Sequence, residues 1–119
     1  MLKKTSPIIL LLALLISGCS PKSEWHQYLG PDRNAVYNGD PILSSWGDTG
    51  PKELWSFPLG MGYGGVSILN DEVFILDRKK GEADILRCID LHSGKEKWNF
   101  EYKAPGELSF PGSRATPTV

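Results

Sequence analysis

The chain has 119 residues, 40% of them hydrophobic, and 13 basic against 14 acidic side chains give a formal charge of −1. That balance excludes a nucleic-acid footprint, which needs Lys and Arg clustered on one face. Cysteines occur at positions 19 and 88 alone, and the role of Cys19 described below leaves Cys88 without a partner, which excludes a disulfide framework and a cysteine metal site.

Residues 1–18 read as an export signal. Lys3 and Lys4 form a basic start, Ile8 to Ile16 is an unbroken apolar run, and Ser17-Gly18-Cys19 follows at once. A helix crossing a bilayer needs about 20 apolar residues, so the run is a signal core and not a stable transmembrane segment. The small residues before Cys19 resemble the lipobox of bacterial lipoproteins, in which cleavage precedes a cysteine that carries diacylglycerol. The resemblance implies lipidation at Cys19 and a membrane anchor; the rival is a plain secretory peptide with an incidental cysteine. One acyl chain binds membranes only marginally, and two or three make the anchor durable. Ser20, where an aspartate tends to mark inner-membrane retention, is compatible with the outer membrane. Removal of Lys3 and Lys4 with the signal shifts the formal charge from −1 to −3.

Residues 19–50 form a lipidated tether and an irregular lead-in, rich in Pro, Gly, Asn, Asp and Ser without a sustained period. Trp25, Tyr28 and Trp46 are too large and apolar to be idle there, and are expected to plug against the edge or face of the folded part.

Strand patterns begin after Pro51. Leu54 to Leu59 alternates, with Trp55, Phe57 and Leu59 on one side. Val66–Leu69 and Val73–Leu76 flank the turn-prone Asn70-Asp71-Glu72, the signature of a tight hairpin. Both runs are apolar on each side, which predicts burial from two directions. Arg78-Lys79-Lys80, neutralised by the following Gly81-Glu82-Ala83-Asp84, reads as a solvated hairpin loop. A strand over Ile85–Asp90, with Cys88 as a small buried residue, leads through Leu91-His92-Ser93-Gly94-Lys95 to an amphipathic strand over Glu96–Tyr102. There Trp98, Phe100 and Tyr102 share one face, and Lys97, Asn99 and Glu101 the other. Residues 104–117 return to loop character, and Thr116 to Val119 sits where a next inner hairpin would begin.

Lys52-Glu53-Leu54-Trp55-Ser56-Phe57 and Lys95-Glu96-Lys97-Trp98-Asn99-Phe100 share K-E-x-W-x-F, with the tryptophans 43 residues apart. Roughly 40 to 45 residues is the length of one four-stranded propeller blade. The expectation is an all-β chain of antiparallel four-stranded blades, about one and a half of them, with residues 51–119 as the start of a β-propeller. Closure takes typically four to eight blades, which predicts a truncated product or an N-terminal fragment with edge strands and an apolar face exposed.

Cys88-Ile89-Asp90-Leu91-His92-Ser93-Gly94-Lys95-Glu96-Lys97-Trp98 resembles the A-x-D-x-x-T-G-K-x-x-W repeat of pyrroloquinoline-quinone-like β-propellers. Asp90, Gly94, Lys95 and Trp98 match outright, Ser93 stands for Thr, and Cys88 for the small Ala. Asp90 and Ser93 suit the bonding of backbone N–H groups in a turn, and Gly94 suits a positive φ. Trp25-His26-Gln27-Tyr28-Leu29-Gly30-Pro31-Asp32-Arg33 resembles the W-x-Q-x-x-G-P-x-R lead-in of many such proteins in planctomycete-like bacteria. The resemblance implies that Asp90, Ser93, Gly94, Lys95, Trp98 and Trp55 are scaffold, with Trp98 docking between blades, and implies seven or eight blades. The copy at Trp55 lacks the Asp and the Ser/Thr-Gly-Lys turn, as an atypical terminal repeat does.

No catalytic, cofactor-binding or metal residue is assigned. Gly60, Gly62 and Gly65 satisfy G-x-G-x-x-G, but a dinucleotide site needs a helix after them and the sequence continues as a hairpin. His26 and His92 lack companions at ligand spacing, and the acids at 77, 82, 84 and 90 follow no EF-hand order. The expected function is a lipid-anchored, envelope-located binding or scaffold module whose partners are the membrane and envelope proteins. The alternative is the start of a quinone-dependent alcohol or sugar dehydrogenase, with quinone and calcium held by later blades.

Overall fold

The computed structural model describes residues 24–106, 109–110 and 112–119. The signal over 1–18 and the lipidation site Cys19 lie outside the described residues. Four strands, β1 (Ser67–Leu69), β2 (Glu72–Lys79), β3 (Ala83–Asp90) and β4 (Glu96–Lys103), form one antiparallel sheet in the order β1-β2-β3-β4. Among the described residues there is no helix, and so none long and apolar enough to cross a membrane.

Local chemistry sets each turn. Asn70 (φ 52°) and Asp71 (φ 62°) are both left-handed, the requirement of the type I′ turn whose twist suits a two-residue hairpin. Leu69 pairs with Glu72, so Glu72 begins β2 and the turn is one residue shorter than expected. At the far end the Glu82 N–H donates to the Lys79 carbonyl (3.1 Å). Gly81 supplies the positive φ (73°) that a type II turn needs at its third residue.

Cross-strand pairs Phe74–Cys88, Leu76–Leu86, Cys88–Trp98 and Leu86–Phe100 line one face of the sheet. Pairs Val73–Ile89, Asp77–Ile85 and Lys79–Ala83 line the other. On this second face Val73, Ala83, Ile85 and Ile89 are buried, and each larger side chain contributes about 1.5 to 3 kcal/mol by leaving water; Phe57 and Gly60 meet the same face at Arg87 and Asp77. Cys88 on the first face is fully buried, between Phe74 and Trp98 in register.

β4 is exposed throughout. Its aromatic stripe of Trp98, Phe100 and Tyr102 is 44%, 62% and 43% accessible, with Trp98 tilted against Phe74 at 6.0 Å between ring centres. A register shift between Cys88 and Ile89 sets Trp98 opposite Cys88 and Glu96 opposite Ile89, leaving Lys97 as the extra residue of a bulge. The strict alternation expected for Lys97 fails there, and its ammonium pairs with Glu72 of β2.

Three further expectations need correction. Leu54–Leu59 joins no sheet; Trp55 and Phe57 are half-buried and Leu54 and Ser56 exposed, as anticipated, but Leu59, expected on the side of Trp55 and Phe57, is 42% exposed. Trp25 does reach the edge of the sheet, but Tyr28 and Trp46 are exposed. Arg78 and Lys79 belong to β2, and Arg78 is only 7% accessible, because Asp84 lies directly across the hairpin to neutralise it.

Candidate functional site

The β3–β4 turn is built by its own side chains. Asp90 Oδ1 accepts from the Ser93 N–H (2.8 Å) and from the Ser93 hydroxyl (2.7 Å). The Gly94 N–H donates to the Asp90 carbonyl (2.9 Å) and the Asp90 N–H to the Lys95 carbonyl (2.8 Å). Gly94 takes φ 67°, in the region glycine enters without steric cost. The Ser93 hydroxyl and N–H hold the Asp90 carboxyl below its usual range.

This turn receives Trp55. The indole N–H donates to the Leu91 carbonyl (2.8 Å), and the ring lies so close to Gly94 that a Cβ there would be 2.6 Å from Cδ2. Glycine is thus required twice, by dihedral and by contact. The second copy of K-E-x-W-x-F places Trp98 on β4 in the open stripe, beside no comparable turn among the described residues.

A charged relay crosses the buried face next to this joint. Asp77, 4% accessible, accepts from the N–H groups of Gly60 and Arg78 (each 2.7 Å) and from Arg87 Nε (2.8 Å). Arg87 continues to Glu96 (2.6 Å), which also accepts from the Asn99 amide (2.6 Å). The Phe57 ring lies 5.7 Å from the guanidinium. Burial works against the Arg87 charge, but its bonds to Glu96 and Asp77 outweigh that and raise its pKa. Arg87, with Asn99, holds the Glu96 carboxyl low. On the opposite face Arg78 bonds Asp84 (2.7 Å) and the carbonyls of Ala104 (2.9 Å) and Gly106 (3.1 Å), tying the chain beyond β4 to the sheet. These charges satisfy one another, and the buried side-chain polar atoms described all have partners.

A seam lies beside β1. Residues 113–117 run parallel to 62–67: the Tyr63 N–H donates to the Ser113 carbonyl (2.6 Å), Ser113 to Met61 (3.3 Å) and Gly65 to Thr116 Oγ1 (3.0 Å). The Ser67 hydroxyl donates to the Pro117 carbonyl, and the offset stays at 50 to 52 residues. Gly64 permits the approach, since a Cβ there would sit 2.3 Å from the Ala115 carbonyl oxygen. On the outer edge of β1, Trp25 and Ile68 exchange two backbone bonds (3.0 and 2.8 Å), and the Val119 N–H reaches the His26 carbonyl (3.0 Å). An open cleft of about 820 Å³ lies among Trp25, Tyr28, Tyr63, Val66 and Arg114. It offers ring faces, the Arg114 cation and the Thr116 hydroxyl, which accepts from the Gly65 N–H. Residues 60–65 lead into β1 and not into a helix, so the G-x-G-x-x-G pattern has no N-terminal amides with which to hold a pyrophosphate.

His92 is exposed, 3.5 Å from Asp71. Among the described residues no group of three or more His, Cys, Asp or Glu is gathered to hold a metal. Neither the Asp77–Arg87–Glu96 relay nor the Arg78–Asp84 pair on the opposite face corresponds to a motif in the sequence. Counting outward from the hairpin loop at 80–82 sets Arg78 opposite Asp84, and that was the available signal.

Comparison with protein-family models, with curated proteins and with solved structures finds no match to this chain.

Proposed function

We propose that this chain begins a lipid-anchored, pyrroloquinoline-quinone-like β-propeller of the bacterial envelope, facing the periplasm from the outer membrane, which acts as a non-catalytic binding or scaffold module. Sheet β1–β4 is its first regular blade. The observation that carries this reading is the joint between Trp55 and the Asp90–Lys95 turn. One copy of the repeated motif is docked on a turn that belongs to the other, so consecutive repeats are joined tryptophan to turn, and Trp98 is the next such plug. The parallel seam between 62–67 and 113–117 supports the same succession, because a second inner strand would start beside the first. The anchor rests on Ser17-Gly18-Cys19.

Equilibrium dialysis of the protein purified from its own membrane against pyrroloquinoline quinone and calcium tests the non-catalytic reading. The expected result is no retained quinone. A stoichiometric, calcium-dependent complex would establish a quinoprotein instead.

A further inference from the structure

We infer that the cleft among Trp25, Tyr28, Tyr63, Val66 and Arg114 docks on the membrane that holds the anchor, with Arg114 on the phosphate of a phospholipid headgroup. The inference rests on the lipid anchor of the proposed function and adds the surface that this anchor brings to the bilayer.

The short tether supplies the first argument. Trp25 follows Cys19 by six residues, which span at most about 22 Å however the chain runs between them. Trp25 itself is fixed to the sheet: it exchanges two backbone bonds with Ile68, and its ring packs on Gly30, where a Cβ would lie 2.7 Å from Cζ3. A lipidated Cys19 therefore holds the cleft within one short tether of the headgroups.

The second argument is the chemistry of the cleft. Its walls are closed to an added strand, because Trp25 occupies the outer edge of β1 at Ile68 and residues 113–117 are already bonded along 62–67. What faces outward is side chain: Tyr28 is 66% and Tyr63 67% accessible, beside an exposed Arg114. Tyrosine and tryptophan settle at the level of lipid headgroups, where the ring is apolar-side and its polar tip stays wet. Arg114 lies over the Phe110 ring (5.5 Å) and donates to the Phe110 carbonyl (3.2 Å), which leaves most of its five N–H groups for a phosphate. Among the described residues no Asp or Glu lines the cleft to compete for them.

A nitroxide at Ala115→Cys, an exposed position lining the cleft, tests this by its collisions with oxygen and with a water-soluble nickel chelate. Cys88 is fully buried, so the label stays out of the sheet. The protein is produced full length in its native host and reconstituted in vesicles of phosphatidylethanolamine and phosphatidylglycerol. The expected result is a label open to oxygen and shielded from nickel, with an oxygen-to-nickel ratio that falls at least about threefold when Arg114→Gln is added. Free collision with nickel would leave the cleft in water, and shielding from both reagents would fill it with protein. Either result, or an unchanged ratio in Arg114→Gln, overturns the docking. The mass of the N-terminal peptide separates the causes: with Cys19 acylated these results overturn the docking alone, whereas an unmodified Cys19 overturns the anchor on which it rests.

Discussion

Trp55 and Gly94 lie 39 positions apart in the chain and meet ring to backbone, with the indole N–H on the Leu91 carbonyl at 2.8 Å. No side chain fits between them, and the contact fixes residues 52–57 to the sheet.

Gly94→Ala and Gly81→Ala separate dihedral strain from contact. Both glycines hold similar positive φ (67° and 73°), but a Cβ at Gly81 meets nothing within 4 Å while one at Gly94 enters the Trp55 ring. Denaturant titration should give a loss of about 1 kcal/mol for Gly81→Ala, from strain alone. Gly94→Ala should lose about 2 to 4 kcal/mol, because overpacking adds to the strain. Equal losses would remove Trp55 from the turn.

Asp77→Ala should be costly for a different reason. It leaves the half-buried Arg87 and two backbone N–H groups without their acceptor, a loss of about 3 to 5 kcal/mol. Glu101→Ala breaks the exposed pair with Lys79 and should lose at most about 1 kcal/mol. A comparable effect of the two substitutions on the unfolding midpoint would contradict the buried relay.

Stability should fall in acid through Asp90 and Glu96. Both carboxyls are held below their usual values, Asp90 by Ser93 and Glu96 by Arg87, so the folded state binds fewer protons than the unfolded one in that range. Their contribution is fully present above the unfolded carboxylate range near pH 4, and is lost as pH falls through the lower folded values. The paired variant Asp90→Asn with Glu96→Gln should show a flatter decline between about pH 5 and pH 2. An unchanged slope would place these carboxylates in free solution.

Cys88 should resist modification. It is fully buried in β3, and desolvation with the nearby Glu72 raises its thiol pKa, so little thiolate forms near neutrality. Native labelling by a maleimide should follow unfolding, with prompt reaction only in denaturant. Fast native labelling would mean that the first face of the sheet is open.

Much of this architecture was legible because the signals are local. The type I′ hairpin rests on Asn70-Asp71, two residues tolerant of left-handed φ. The β3–β4 turn rests on two side chains, Asp90 and Ser93, that bond its own backbone, and on the positive φ of Gly94. Where the reading failed, the deciding partner was distant. The basic run at Arg78 reads as solvated, yet the acceptors of Arg78 are Asp84 across the hairpin and two carbonyls past β4. Leu54–Leu59 carries a strand's alternation, but membership of a sheet depends on a partner edge, which sequence period does not encode. The bulge at Lys97 was hidden for the same reason, since register is a property of two strands.

The central claim, that Trp98 is a joint of the same kind as Trp55, is tested most directly by the stability of Trp98→Ala in the protein purified from its native source. The account predicts a loss of roughly 3 to 5 kcal/mol, as for an indole buried between blades. A loss under about 1 kcal/mol would leave Trp98 on an open surface and contradict it.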